Sequence, residues 1–133
     1  EGYVFLDTGS PHHVKMTVDI ENLDVKTKGS QIRYSNLYGD AGSNVNFVEK
    51  QDDNCFKVRT YERGVEDETL SCGTGVTAVA IAMHATNETQ SQTISLSTPG
   101  GMLQVIFEPT TRGYRDIWLK GPAMQVFKGQ IGW

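Results

Sequence analysis

The chain has 133 residues, a net charge of −4 and a sequence pI of about 5.3, a size that suits one domain with its own core. Hydrophobic residues make up 38% and charged residues 21%, an ordinary globular balance. No stretch combines clustered Lys and Arg with aromatics, no apolar run has the length to span a bilayer, and the start carries no signal-peptide pattern, so nothing points to nucleic-acid binding or membrane insertion.

Tyr3 to Asp7 reads as a short strand, closed by the turn signal Thr8-Gly9-Ser10-Pro11. A strand directly behind Glu1 leads us to expect an upstream segment of the same protein. Val14 to Val18 alternates and predicts a second strand. Asp24 to Tyr38 has helical spacing at Val25, Ile32 and Leu37 but is interrupted by Gly29. Asp40 to Ser43 is a loop. Asn44 to Lys50 and Phe56 to Tyr61 are strands around the turn-like Asp52-Asp53-Asn54. Gly64 to Ser71 is a polar, acidic loop.

The run Val76-Thr77-Ala78-Val79-Ala80-Ile81-Ala82-Met83 is apolar on nearly all sides and lacks Pro. It predicts a buried helix from Gly73 to about Thr86. Thr93 to Thr98 and Met102 to Glu108 form a hairpin across Pro99-Gly100-Gly101. Asp116 to Lys120 and Met124 to Lys128 complete the strands, with Gly121-Pro122 between them. The fold class is α+β: a curved, mostly antiparallel sheet wrapped around one apolar helix that needs cover on every side.

Cys72 falls at the start of that helix, in Ser71-Cys72-Gly73-Thr74-Gly75. Unpaired N–H groups and the positive dipole end favour a thiolate there. The backbone of Gly73, Thr74 and Gly75 can approach an anion such as a carboxylate. A thiolate so placed can attack an acyl carbon, exchange disulfides or take a carbon-bound proton. A redox pair would want Cys-x-x-Cys, which is absent. The plain alternative is a small buried hydrophobe at a helix start.

Glu62-Arg63 ends a strand beside the acidic loop. The pair can grip a zwitterionic amino-acid group, Arg63 on the carboxylate and Glu62 on the ammonium, or it can be a solvated surface pair. His12, in the turn after the first strand, can act as acid, base or ammonium partner. His13 and His84 read as ordinary residues, and three His without ligand spacing do not suggest zinc. Cys55 is given no role, and both cysteines read as thiols of a reducing compartment.

Three segments in order, Thr8-Gly9-Ser10-Pro11-His12, Asn44-Val45-Asn46-Phe47-Val48 and Glu62-Arg63-Gly64 through Glu68-Thr69-Leu70-Ser71-Cys72-Gly73-Thr74-Gly75, together resemble the C-terminal half of diaminopimelate epimerase. Pro99-Gly100-Gly101 resembles that family's late hairpin. The likeness covers essentially the whole chain. It implies a protein of two pseudo-symmetric halves, with residues 1–133 as the second, and a site in the cleft between them. The implied reaction inverts the α-carbon of LL-diaminopimelate to the meso form without pyridoxal phosphate or metal. Cys72 would be one of two acid–base cysteines. By the same likeness His12 and Glu62 are catalytic, orienting the reacting α-amino end and assisting the thiols, Gly73 and Thr74 hold the α-carboxylate, and Asn44 and Arg63 bind the distal end.

Ser10 stands where the family has Asn at that distal end, and the loop at Val65-Glu66-Asp67 is one residue longer and lacks the family's Gly. With a single Cys-Gly-x-Gly element, the 133-residue chain alone is expected not to epimerise. The implied setting is cytoplasmic lysine and cell-wall precursor synthesis, with a homodimer as the family's usual assembly. Two other readings remain at this point: a proline or hydroxyproline racemase-type isomerase, and a binding domain that keeps the fold without the activity.

Overall fold

A helix with no polar face dictates the architecture. The structure, a computed structural model, describes residues 2–133. Among the described residues there are eight strands: β1 (Val4–Asp7), β2 (Pro11–Met16), β3 (Asn44–Asp52), β4 (Cys55–Glu62), β5 (Asp67–Thr69), β6 (Thr93–Thr98), β7 (Gly101–Pro109) and β8 (Tyr114–Lys120). They form one sheet in the order β1-β2-β3-β4-β6-β7-β8, with β5 attached to β4. Neighbours run antiparallel except for β2–β3 and β4–β6, which are parallel.

Helix α2 (Gly73–Ala85) touches all seven strands of that path. Only a sheet curled around the helix allows this, as the all-round apolar sequence requires. Val76, Ala78, Val79, Ala80, Ala82 and Met83 are buried against Val14, Val48, Phe56, Val58, Ile94, Leu96, Val105 and Phe107 from the strands. Small alanines between valines let the strands come close to the helix axis.

The opposite face of the sheet carries a second, smaller core. Val45, Phe47 and Tyr61 point outward from β3 and β4 and meet Ile20, Val25, Leu23 and Ile32. Helix α1 (Val25–Arg33) supplies Val25 and Ile32, and a 3-10 turn at Ile20–Asn22 supplies Ile20. Asp24 caps α1 by accepting from Thr27 N at 3.1 Å. Gly29, which interrupts the helical pattern in the sequence, is where α1 presses on the sheet. A Cβ there would lie 2.3 Å from Tyr61 Cβ, so only glycine permits the approach.

Four expectations are corrected. The second strand runs over Pro11–Met16 rather than Val14 to Val18, so His12 lies in a strand and not in a turn. The first helix ends at Arg33, and residues 34–41 form turns rather than continuing to Tyr38. The acidic loop contains β5, whose Asp67, Glu68 and Thr69 pair with Glu62, Tyr61 and Thr60. Met124 to Lys128 is not a strand: residues 121–133 carry no regular structure and are exposed throughout. Among the described residues no strand lies beside it to accept its hydrogen bonds.

Candidate active site

All the sequence motifs converge on one end of the curled sheet. The start of β2 brings His12, the start of β3 brings Asn44 and Asn46, the end of β4 brings Thr60 and Glu62, and α2 begins there with Cys72. Parity along the strands sorts their side chains. His12, Asn46 and Thr60 share the inward face with Val14, Val48 and Val58, while Tyr61 faces α1. Glu62, two residues beyond Thr60, therefore also faces inward.

Cys72 is the N-cap residue of α2, in an extended conformation, and its side chain does not cap the helix. The amides of Gly73, Thr74 and Gly75 in the first turn have no intrahelical acceptor. The half-buried Cys72 Sγ lies 3.6 Å from Thr74 Oγ1. Thr74 Oγ1 is in turn 2.8 Å from His12 Nε2, and Thr8 Oγ1 donates to Thr74 O at 2.8 Å. Behind His12, Asn46 Nδ2 lies 3.0 Å from His12 Nδ1 and 3.2 Å from His13 O. Thr60 Oγ1 donates to Asn46 Oδ1 at 2.9 Å.

His12 is 0% exposed. Burial pushes its pKa down to about 4, against which Asp7 pulls it up and Arg63 pushes it further down. It is a neutral imidazole at pH 7, with both ring nitrogens engaged. Its Nε2 lies against the hydroxyl of Thr74 and its Nδ1 against the amide of Asn46. Gly75 completes this packing. A Cβ at position 75 would lie 2.6 Å from Asn46 Oδ1 and 3.2 Å from His12 Cε1, so the second glycine of Cys-Gly-Thr-Gly makes room for the polar residues behind it.

Asn44 braces the rim. Its Nδ2 donates to Ser10 Oγ at 2.9 Å and Pro11 O at 3.0 Å, and its Oδ1 accepts from Arg63 N at 2.8 Å. Ser10 thus joins the rim through Asn44. Arg63 Nη1 donates to Ala41 O at 2.9 Å. The half-buried Glu62 carboxylate has no hydrogen-bond partner among the described residues.

The neighbouring loop turns at Glu66, whose φ is 60°. This left-handed turn swings its carboxylate back onto Gly64 N at 3.3 Å, Arg33 Nε at 3.2 Å and the Tyr34 hydroxyl. The Tyr34 hydroxyl, with help from Arg33 and Gly64 N, holds the Glu66 carboxyl below its usual pKa. Arg63 is therefore carried on a loop tied to the end of α1.

The sequence motifs contained Asn46 but gave it no role, and Thr60 lay in a predicted strand outside them. Their signal was available: each is polar at an inward position whose strand neighbour two residues away is valine. Among the described residues, no group of three His, Cys, Asp or Glu is placed to share a metal ion, and no helix is long and apolar enough to cross a membrane.

Comparisons with known proteins identify the relatives of this chain. The family model for diaminopimelate epimerase matches residues 4–124. A diaminopimelate epimerase from Flavobacterium psychrophilum is 56% identical over 131 residues, covering 98% of this chain and 51% of that protein. One from Aquifex aeolicus is 38% identical over 128 residues, covering 96% of this chain and 45% of its own length. The chain thus spans about half the length of the curated relatives it matches. Among solved structures, a predicted epimerase from Pseudomonas aeruginosa has a TM-score of 0.60 at 13% identity, over 79% of this chain and 35% of that one. A PhzF-family phenazine biosynthesis protein from Bacillus anthracis has a TM-score of 0.58 at 14% identity, over 88% of this chain and 37% of that one. These two show the fold alone.

Proposed function

The chain belongs to the diaminopimelate epimerase family, and from that premise we propose that it is the C-terminal half of an enzyme that inverts LL-diaminopimelate to the meso form. The Cys72 thiolate takes the α-proton on one face, and the C–H electron pair stays on the α-carbon. A cysteine thiol from the other half returns a proton on the opposite face, and the roles exchange in the reverse direction. The observation that carries this reading is a half-buried thiol at the start of α2, beside first-turn amides that the helix leaves unpaired.

Those amides supply what the chemistry lacks. A C–H flanked by an ammonium and a carboxylate is a very weak acid. Donors fixed on the carboxylate stabilise the charge that develops as the proton leaves. Gly73 and Thr74 offer them at the positive end of α2. Glu62, without a protein partner, receives the α-ammonium. The Arg63 fork takes the distal carboxylate. Asn44 Oδ1, which accepts one bond from Arg63 N, has a second lone pair for the distal ammonium.

The other half is expected to cover apolar side chains along the β8 edge and beyond it. On β8, Ile117, Trp118 and Leu119 are exposed, as are Met124, Val126, Phe127, Ile131 and Trp133 beyond it. Leu119 carries the link to the active site: its Cδ2 lies 3.0 Å from where a Cβ on Gly73 would stand. This supports a cleft closed by the rest of the protein, where water is excluded from the carbanion. The setting is lysine and cell-wall precursor synthesis in the cytoplasm.

Stereochemical analysis of product tests the reading. The full-length protein, with no cofactor added, is expected to convert LL-diaminopimelate to the meso form, and the 133-residue chain alone is not. Turnover of proline or hydroxyproline instead, or appreciable turnover by the isolated chain, would overturn it.

A further inference from the structure

Asn46 and Thr60 are buried polar residues with no part in the scheme above. We infer that Asn46, held by Thr60, fixes His12 as the Nε2–H tautomer and thereby aims the Thr74 hydroxyl at the Cys72 sulfur. The inference rests on the reading of Cys72 as an acid–base thiol.

The direction of the relay follows from one backbone carbonyl. His13 O can only accept, and it lies 3.2 Å from Asn46 Nδ2, so the NH2 end of the amide faces it. The Thr60 hydroxyl at 2.9 Å fits the other end, Oδ1. Asn46 Nδ2 therefore donates to His12 Nδ1 at 3.0 Å. A neutral imidazole that accepts at Nδ1 carries its hydrogen on Nε2. That hydrogen goes to Thr74 Oγ1, 2.8 Å away, which leaves the threonine hydrogen for Cys72 Sγ at 3.6 Å. Each donor meets one acceptor, and the chain ends on sulfur.

His12 is then not the base that ionises Cys72, because its Nε2 already carries a proton. It is a positioning residue, as are Asn46 and Thr60. A hydrogen bond delivered to sulfur favours the thiolate over the thiol. Protonating Nδ1 would set a second donor against the Asn46 amide. Burial opposes it as well, and of the charged groups that act on the ring Arg63 opposes it while Asp7 favours it.

Two measurements on the full-length protein decide the matter. Long-range nitrogen–proton correlation spectra of the 15N-histidine-labelled protein are expected to show His12 with Nδ1 bare and Nε2 protonated, unchanged from about pH 6 to pH 8. A protonated Nδ1 would overturn the inference. The second is the rate of Cys72 alkylation against pH, read on the peptide that contains it so that Cys55 does not interfere. Thr74→Val is expected to slow alkylation at neutral pH about tenfold, one pKa unit, and Thr74→Ser to restore it. Asn46→Leu is expected to move the profile the same way. Because Asn46 is wholly buried, the decision rests on the unmodified protein and on the exposed Thr74. An unmoved profile in Thr74→Val would sink the relay even if epimerase turnover were normal. The expected tautomer and profile in a protein silent on diaminopimelate would uphold the relay and remove the epimerase reading instead.

Discussion

The inner face of the sheet changes character over two residues. At the mouth, His12, Asn46 and Thr60 lie under the first turn of α2; one row deeper, Val14, Val48 and Val58 lie under its body. The three strands and the helix are the same in both rows, and both rows are shut off from water. The deep row stabilises the fold by apolar burial. The mouth row gives that up and keeps its polar atoms tolerable only by bonding each of them, at distances of 2.8 to 3.2 Å. A protein accepts that exchange where it needs a fixed polar arrangement, and here the arrangement sits beside the thiol.

Breaking the deep row should cost stability and leave chemistry alone. Met83→Ala, on the far half of α2, is expected to lower unfolding free energy by about 2–5 kcal/mol. Turnover by the protein that stays folded should be normal, measured well below the lowered melting temperature. An unchanged melting temperature would contradict the packing described.

Breaking the mouth row should do the reverse. Gly75→Ala pushes a methyl into Asn46 and is expected to cost about 10²-fold in kcat, as displacements of order 1 Å in a site do, with a smaller loss of stability. Normal kcat would show that Asn46 and His12 can shift without consequence.

The smallest effect sharpens the comparison by pH. His12 and His13 are both held near a pKa of 4, by burial first, with Lys15 adding to the effect at His13. The unfolded chain therefore binds more protons than the folded one between pH 6.5 and pH 4, so stability falls as pH drops through that window. The stabilisation is complete above about pH 6.5 and lost below the folded value. Urea midpoints are expected to be lower at about pH 4.5 than at pH 7, and equal midpoints would contradict the buried neutral imidazoles.

The deep row was legible in the sequence because apolar periodicity carries it. The helix from Gly73, the strands around Asn44–Lys50 and Phe56–Tyr61, and the late hairpin all follow from pattern alone. The mouth row was legible in part. Cys72, Glu62 and Arg63 announce themselves by residue type beside glycine, whereas Asn46 and Thr60 look like ordinary polar residues of a half-wet strand until the curl of the sheet puts them inside. Gly29 misled for the same reason: its use is a tertiary contact with Tyr61, which no local rule contains. At Met124 to Lys128 the residue types suit a strand, but a strand also needs a neighbour, and composition does not provide one.

The central claim is that the Cys72 thiolate moves the α-proton. The most direct test is deuterium uptake at the α-carbon of LL-diaminopimelate in heavy water, in the full-length protein and in its Cys72→Ser variant. We expect uptake with inversion in the first, and in the second a folded protein without inversion, since an alcohol is far too weak a base for this proton. Normal inversion with α-deuterium in Cys72→Ser would contradict the account.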